Sequence, residues 1–312
     1  MMHDYLDQFL NIYWLRPESA IWRASDCICM ENVKIEAPSL DFGCGDGLFS
    51  FLCFGKGKLD KGYDVYFDVA GTDEFFQNAD VYDTAPEKTI VLNDSSPCLF
   101  DYALDHKESL LQKAKRLKFH KGFICADANN PNWAANFDLE SLSTIFSNIV
   151  YWLDDPQIVI NEFAKIIRPN GKIILMLPDT NFTKSSFYYQ LYAKTRDPKW
   201  EWLKYIDRGR HSSNIKTTKS YGEWAEIFEN AGLQIVEHKN HLSLNLMRMW
   251  DIGLRPLFPA LCKMVAKLNA ADREEIKSEW IKTLKLFAYP ILEMEKEAKG
   301  QDCTFHYFVL TK

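Results

Sequence analysis

The chain has 312 residues, of which 47% are hydrophobic, 14% aromatic and 26% charged, and this ordinary composition excludes a disordered, collagen-like or low-complexity protein. The 37 Lys and Arg residues against 43 Asp and Glu residues give a formal net charge of -6. A chain of net negative charge has no overall attraction to phosphate backbones, so we expect no nucleic-acid partner, although the net charge does not exclude a local basic patch.

The N-terminal part of the chain predicts two short helices, then a strand, a glycine-rich turn and a third helix. Apolar residues recur at helical spacing in residues 4–31, and Pro17 divides that segment. Residues 37–42 predict a short buried strand, which runs directly into the turn at residues 43–47. Residues 48–54 then predict an apolar helix.

Helices and strands alternate through the rest of the chain up to residue 242, and one more strand is predicted near the C-terminal end of the sequence. Further strands are predicted over residues 99–104, 122–126, 142–146, 172–177, 233–236 and 305–310. Further helices are predicted over residues 108–117, 156–167 and 221–230. The last strand alternates in the manner of an edge strand. This order predicts an α/β fold with a mostly parallel sheet that helices cover on both faces.

Two segments do not fit a minimal α/β domain. One shows weak periodicity, and the other predicts two or three helices rich in methionine and tryptophan. We therefore divide the chain into an N-terminal helical cap, a core that carries an insertion, and a helical subdomain before the last strand. The helical cap is residues 1–36, and the core is residues 37–242 with 301–312. The insertion in the core is residues 55–97, and the helical subdomain is residues 243–300.

The cysteines and the N-terminus bear on the compartment. The eight cysteines include no C-x-x-C pair, and Cys27-x-Cys29 is too closely spaced for the usual zinc ligands. Residues 1–7 lack the basic and apolar stretches of a signal peptide, and no apolar run approaches the roughly 20 residues of a membrane span. We expect a soluble cytoplasmic protein with reduced cysteines and no stable membrane insertion.

The turn after the first strand has the pattern Asp41-x-Gly43-x-Gly45-x-Gly47. Glycines allow a sharp turn and a close approach to a ligand, and the next helix presents unpaired N–H groups. The dinucleotide fingerprint G-x-G-x-x-G would require a third glycine at Leu48, so the turn fits it poorly. The pattern instead resembles motif I of class I S-adenosylmethionine-dependent methyltransferases.

This resemblance implies a Rossmann-like, seven-stranded, mostly parallel sheet with an antiparallel last strand. It also implies S-adenosylmethionine as the cofactor and S-adenosylhomocysteine as the product. The resemblance covers about residues 37–178. It extends more loosely over residues 211–242, which look like the broad group called methyltransferase type 11.

The family's second strand ends in an acidic residue that binds the ribose hydroxyls of the cofactor. Counting from the turn favours Asp64, which lies 17 residues past Gly47. The local sequence favours Asp105, followed by His106, because a strand precedes it and a helix follows. Asp105 also lies 22 residues before Asp127, a suitable strand–helix–strand step. We choose Asp105, which makes residues 55–97 an insertion.

The resemblance places further cofactor contacts after the third and fourth strands. At Asp127 a carboxylate would accept the adenine amino group, and the backbone N–H of Ala128 would meet a ring nitrogen. Ser147 and Asn148 would lie under the methionine part. The full set of expected cofactor-binding residues is Asp41, Gly43, Cys44, Gly45, Gly47, Asp105, His106, Asp127, Ala128, Ser147 and Asn148.

Methyl transfer to an alcohol or phenol also needs a group that takes the proton. His211 is our first candidate, because it lies in a polar loop and a histidine can titrate near neutrality. An exposed loop histidine with no catalytic role explains the same sequence equally well. Tyr151 and Asp155 follow the fourth strand and are candidates to line the acceptor pocket. No carboxylate or cysteine stands at ligand spacing near His238-x-x-His241, so we expect no metal.

We therefore expect methyl transfer to a small-molecule acceptor, with oxygen of a sugar, a lipid-linked intermediate or a secondary metabolite favoured. The N-P-P-Y type motif used to methylate amino groups of bases is absent after the fourth strand. The alternatives are an NAD-dependent oxidoreductase and a non-catalytic interaction subunit with a methyltransferase fold. The helices of residues 244–300 either cover an apolar acceptor or pack on the core or on a second copy in a homodimer.

Overall fold

The computed structural model describes residues 2–60, 62–66, 98–200, 217–298 and 302–312. Its helices are α1 (Met2–Ile12), α2 (Pro17–Cys29), α3 (Leu48–Cys53), α4 (Glu108–Arg116), α5 (Pro156–Ile166), α6 (Asn181–Ser185), α7 (Phe187–Thr195), α8 (Tyr221–Asn230), α9 (Leu244–Ile252), α10 (Phe258–Val265) and α11 (Ala270–Glu297). Its strands are β1 (Ser39–Phe42), β2 (Phe100–Asp105), β3 (His120–Cys125), β4 (Leu142–Ser147), β5 (Ile167–Pro178), β6 (Gln234–Ser243) and β7 (Cys303–Thr311). Short 3-10 helices cover Pro131–Asn136, Val150–Trp152, Pro198–Trp200 and Arg255–Leu257. Most of the predicted insertion lies outside the described residues, so the division of the chain into units stays a prediction.

The seven strands form a sheet in the order β3-β2-β1-β4-β5-β7-β6. β1 lies inside the sheet in parallel pairing with β2 and β4, and all of its residues are buried. β3 and β5 extend the parallel part, and β7 is antiparallel to both β5 and β6. The Rossmann-like, mostly parallel seven-stranded sheet is confirmed. Because parallel strands end at one edge, the loops after β1, β2, β3 and β4 adjoin, where open α/β sheets bind ligands.

Helices cover both faces of the sheet, as predicted. The two faces can be followed along β7, because residues at odd and even positions of a strand point to opposite sides. Phe305 packs edge-on against Trp22 of α2, with ring centroids 5.2 Å apart. Phe308 packs against Phe228 of α8 on the other side, at 5.1 Å.

The position of β7 contradicts the prediction of an edge strand. β7 lies between β5 and β6, and all but its last residue are buried. The alternation misled the prediction because the polar His306 is satisfied inside the fold, where its Nε2 lies 2.9 Å from Asp179 Oδ2. β6 is the edge strand, and the Val236 side chain on it is 57% exposed.

A buried ion pair attaches α2 to β6. Asp26 Oδ1 lies 2.8 Å from His241 Nε2, and Asp26 Oδ2 lies 3.1 Å from an Arg23 guanidinium nitrogen. Trp22 adds an edge-on contact with Trp250 of α9, at 5.0 Å between centroids. The N-terminal helices are therefore held to the core by both charge and aromatic packing.

The ion pair predicts a pH dependence of stability. Burial opposes a charged His241, but Cys29 and Asp26 outweigh it and raise the pKa of His241 to about 10, from an ordinary 6.5. The folded state then binds this proton more tightly than the unfolded state. The stabilisation is therefore complete below pH 6.5 and is lost as the pH rises toward 10. We expect the thermal unfolding midpoint, followed by circular dichroism, to fall over this window in the wild type and to fall less in His241→Gln.

His3→Gln is the control for this prediction, because His3 is half exposed and lies outside the pair. It should keep the wild-type slope. An equal slope in His241→Gln and the wild type would contradict the stabilising role of the Asp26–His241 pair.

Candidate functional site

The turn between β1 and α3 requires glycine at three positions and leaves space at one. Gly43, Gly45 and Gly47 have φ of 76°, 59° and 75°, in the left-handed region that side chains rarely adopt. A Cβ at Gly43 would lie 2.1 Å from Ile149 Cγ1, and one at Gly47 would lie 3.1 Å from the Ala114 Cβ. A Cβ at Gly45 would meet no heavy atom within 4 Å in the described part of the chain. The space beside Gly45 is thus able to accept a ligand.

Backbone hydrogen bonds fasten this turn to the end of β2. The N–H of Gly43 donates to the carbonyl oxygen of Leu104 at 2.7 Å, and the N–H of Gly45 donates to Asp105 Oδ2 at 3.0 Å. The other carboxylate oxygen of Asp105 accepts from the Lys107 N–H at 2.9 Å. Each oxygen keeps a further lone pair, so the Asp105 carboxylate is oriented and still able to accept hydrogen bonds from hydroxyl groups.

Carboxyl groups concentrate around the turn. Asp46 Oδ1 accepts from the Leu48 N–H at 3.1 Å and so occupies an N–H group in the first turn of α3. Burial raises the pKa of Asp46, and Asp105 adds to the rise. Burial, together with Asp41 and Asp105, also raises the pKa of the Cys44 thiol. This surrounding favours hydroxyl donors and cations over anions.

Asp41 supports the turn from below. Its side chain is 2% exposed, and its Oδ2 lies 2.9 Å from Nε2 of the fully buried His120 on β3. The same imidazole lies under the turn, because a Cβ at Gly47 would be 3.2 Å from its Cε1. Asp41 therefore makes a supporting contact beneath the turn, and the direct cofactor contact expected of it stays a prediction.

The predicted residues after β3 lie next to Asp105. The N–H of Ala126 donates to the Asp105 carbonyl oxygen at 3.0 Å, which joins the ends of β2 and β3. Asp127 is exposed, and its Oδ1 accepts from the Asn129 N–H at 2.9 Å. Ala128 is buried. The side chain of His106 is 63% exposed, with Nδ1 3.4 Å from Asp105 Oδ1.

The predicted residues after β4 lie on the other side of the turn. Ser147 is buried, and its hydroxyl oxygen accepts from the Ile149 N–H at 3.2 Å. Asn148 is half-buried. Since the Ile149 side chain closes the space over Gly43, this loop lies directly beside the turn. The structure therefore brings the predicted residues of β1, β2, β3 and β4 to one edge of the sheet.

The predicted catalytic residues are not brought together in this way. His211 lies outside the described residues. The buried Tyr151 packs edge-on against Phe305, at 5.8 Å, and its carbonyl oxygen accepts from the Thr217 hydroxyl. Asp155 is exposed and caps the N-terminus of α5. These contacts give Tyr151 a packing role and Asp155 a capping role, and a part of either residue in catalysis stays a prediction.

Asp64, the alternative acid of the second strand, lies in a buried ion pair elsewhere in the fold. Arg273 Nε is 2.6 Å from Asp64 Oδ2, and Trp14 Nε1 donates to Oδ1 at 2.9 Å. Its side chain is 8% exposed. The geometry therefore gives Asp64 a structural role that joins residues 62–66 to α11 and to the N-terminal segment.

A chain of polar side chains at the end of β5 was missed in the sequence. Asp179 follows β5, and His306 lies between it and His238, whose Nε2 is 3.1 Å from His306 Nδ1. Burial tends to raise the pKa of Asp179, but hydrogen bonds from His306 and the Asn181 N–H lower it below its usual value. The position of Asp179 directly after a predicted strand was the available signal. His306 gave none, because it lies within an apolar strand.

The described residues also bear on metal binding and on membrane spans. There, no group of three or more His, Cys, Asp or Glu side chains is arranged to hold a metal ion. His238 contacts His306 and His241 contacts Asp26, so the two have separate partners. No helix in the described ranges is long and apolar enough to cross a membrane.

Comparison with known proteins gives a family match. Residues 34–238 match the model of a methyltransferase domain, and no curated protein matches the chain significantly. Similar solved structures include the YcgJ protein from Bacillus subtilis (14% identity, TM-score 0.40, covering 92% of this chain and 96% of that chain). They also include a SAM-dependent methyltransferase from Archaeoglobus fulgidus (13%, 0.44, 93% and 94%). A third is phosphoethanolamine N-methyltransferase 2 from Haemonchus contortus in complex with phosphomonomethylethanolamine and S-adenosylhomocysteine (13%, 0.47, 93% and 52%).

Proposed function

Since the chain belongs to the methyltransferase-domain family and is an S-adenosylmethionine-dependent methyltransferase of class I, we propose that the glycine turn holds its cofactor and that its acceptor is a small molecule. The observation that carries this proposal is the space beside Gly45, bordered by the oriented carboxylate of Asp105. A backbone that must approach a ligand closely explains why a side chain at this glycine, unlike one at Gly43 or Gly47, would meet no neighbour among the described residues.

Asp105 would bind the two ribose hydroxyls. Its oxygens are held by the N–H groups of Gly45 and Lys107, so the carboxylate need not reorganise when hydroxyls approach. Hydrogen bonds to a charged acceptor are the stronger kind, each contributing about 1.5–3 kcal/mol. This position on the second strand, beside the glycine turn, supports Asp105 over Asp64 for the role.

The remaining cofactor contacts would come from the loops after β3 and β4. The exposed Asp127 carboxylate would accept the adenine amino group, and the Ala128 N–H would meet a ring nitrogen. Ser147 and Asn148, beside the turn, would lie under the methionine part. These loops therefore surround the space beside Gly45 from both sides.

The charges at the turn support this cofactor over NAD. A dinucleotide places its anionic pyrophosphate against the first N–H groups of the helix after the turn. Here the Asp46 carboxyl group already accepts from the Leu48 N–H, so it occupies a donor that a pyrophosphate would need. The carboxyl groups around the turn favour hydroxyl groups and a positively charged sulfur.

Bound S-adenosylmethionine supplies a methyl group on a positively charged sulfur. The protein's contribution is to hold the acceptor atom in line with that methyl and to exclude water. We propose oxygen as the acceptor atom, in a sugar, a lipid-linked intermediate or a secondary metabolite, with His211 as the group that takes its proton. A non-catalytic subunit would keep the cofactor contacts and lack turnover.

Gly45→Arg tests the proposed cofactor position. The arginine would fill the space beside the turn, so affinity for S-adenosylmethionine should fall by roughly 100-fold or more, equivalent to about 2.7 kcal/mol. Gly232→Arg is the matched control, because Gly232 also has a positive φ (74°) and no neighbour within 4 Å in the described part of the chain. Gly232→Arg should bind S-adenosylmethionine as tightly as the wild type does, although it places a side chain on a similarly strained backbone. Calorimetric titration makes the comparison, and unchanged affinity in Gly45→Arg would refute the assignment.

Asp105→Asn and Asp64→Asn separate binding from stability. Asp105→Asn should weaken cofactor affinity by about 10- to 100-fold, because it removes the charge from the acceptor of two hydroxyls. Asp64→Asn should leave affinity unchanged in the folded protein and lower the free energy of unfolding by about 3–5 kcal/mol, since it removes the carboxylate that neutralises the buried Arg273. Calorimetry and urea unfolding measure the two effects. The reverse order of affinities would reassign the ribose contact to Asp64.

A further inference from the structure

α7 is an aromatic helix that buries none of its residues. Five of its nine residues are aromatic or leucine: Phe187, Tyr188, Tyr189, Leu191 and Tyr192. The Phe187 side chain is 53% exposed. A helix of this composition ordinarily places an apolar face against a core. Tyrosine suits a boundary between apolar and aqueous phases, because its ring is apolar and its hydroxyl is polar.

α10 has a second apolar face besides the one that it packs inward. Phe258, Cys262 and Val265 are buried and face the core. Leu257, the residue directly before α10, and Met264 on α10 are 54% and 64% exposed. This exposed side is not explained by packing within the described chain.

The two helices are joined through α9, so their exposed residues belong to one region. The carboxylate of Asp251, at the end of α9, accepts from the Tyr188 N–H at 3.0 Å and from the Ser186 hydroxyl at 3.3 Å. The next residue, Ile252, is 50% exposed, and the 3-10 helix Arg255–Leu257 leads from there into α10. We call α7, Ile252, the 3-10 helix and α10 the docking surface.

The docking surface is basic although the chain is acidic. No Asp or Glu occurs between Asp179 and Asp197 or between Asp251 and Asp272, in a chain of net charge -6. The same two segments contain six cations: Lys184, Lys194, Arg196, Arg255, Lys263 and Lys267. Lys263, beside Met264 on α10, and Lys267, two residues past the end of α10, are exposed. Segments that combine exposed apolar side chains with lysine, and whose sequence contains no Asp or Glu, have the composition of helices that lie on anionic membranes.

We propose that the docking surface binds peripherally to a lipid bilayer that carries anionic headgroups. Leu257, Met264 and Phe187 would enter the boundary between headgroups and acyl chains, while Lys263 and Lys267 contact the lipid phosphates. α6 and α7 follow the carboxyl end of β5 through Asp179, so docking turns that edge of the sheet toward the membrane. The docking goes beyond the proposed function and does not depend on it.

Vesicle cosedimentation of the full chain, without cofactor or acceptor, tests the proposal. The wild type should bind vesicles of phosphatidylcholine mixed with phosphatidylglycerol, bind phosphatidylcholine alone weakly, and lose binding as salt is raised. Leu257→Glu/Met264→Glu should lower binding to the mixed vesicles by at least about tenfold, and Lys263→Gln/Lys267→Gln should lower it by about tenfold.

The matched control is Leu286→Glu/Met294→Glu on α11, whose two side chains are 78% and 63% exposed and lie outside the docking surface. It should bind vesicles as the wild type does, and circular dichroism should show all variants folded. The proposal is overturned if the wild type does not bind the mixed vesicles or if the control loses binding equally. It is also overturned if the wild type is a dimer that Leu257→Glu/Met264→Glu dissociates without any vesicle binding. Titration of the same proteins with S-adenosylmethionine measures the cofactor site separately, so a failure of vesicle binding is distinguished from a failure of the proposed function.

Discussion

The candidate site depends on the parallel pairing of β1 with β2. The register places Phe42 opposite Leu104, so the chain leaves both strands at the same level of the sheet. Gly43 then bonds to Leu104, and Gly45 bonds to the carboxylate of Asp105. A shift of one residue in this register would turn Asp105 to the opposite face of the sheet. The oriented carboxylate beside an open glycine is therefore a consequence of strand pairing rather than of the turn alone.

The second constraint is the accumulation of carboxyl groups in a buried place. Each has a distinct partner: His120 contacts Asp41, the Leu48 N–H bonds to Asp46, and the N–H groups of Gly45 and Lys107 bond to Asp105. Buried charges without such partners would destabilise the fold by several kcal/mol, on the order found when one member of a buried pair is removed. The partners make it possible to keep negative charge where a ligand with hydroxyl groups and a positive charge would bind. Asp46, which occupies the first N–H group of α3, disfavours the pyrophosphate of a dinucleotide.

Local sequence patterns were sufficient for the strands and helices of the core and for the position of Asp105 at the end of β2, because an apolar run followed by an acid and a helix is a local signal. They were not sufficient for contacts that depend on strand order. Asp41 meets His120 across 79 residues, Asp179 meets His306 across 127, and Asp64 meets Arg273 across 209. The place of β7 inside the sheet also depends on strand order, because the sequence does not show that His306 has a buried partner in Asp179. Periodicity reports which side of an element is apolar, and it does not report which element lies beside it.

The most direct test of this account is calorimetric titration of the wild-type protein with S-adenosylmethionine, S-adenosylhomocysteine and NAD in parallel. Both sulfur compounds should bind, because each carries the ribose and adenine that Asp105 and Asp127 would contact, and NAD should not, because Asp46 occupies the N–H group that its pyrophosphate would need. Binding of NAD alone would contradict the role given to Asp46 at the glycine turn. Binding of none of the three would contradict a functional cofactor site and favour a non-catalytic subunit with this fold.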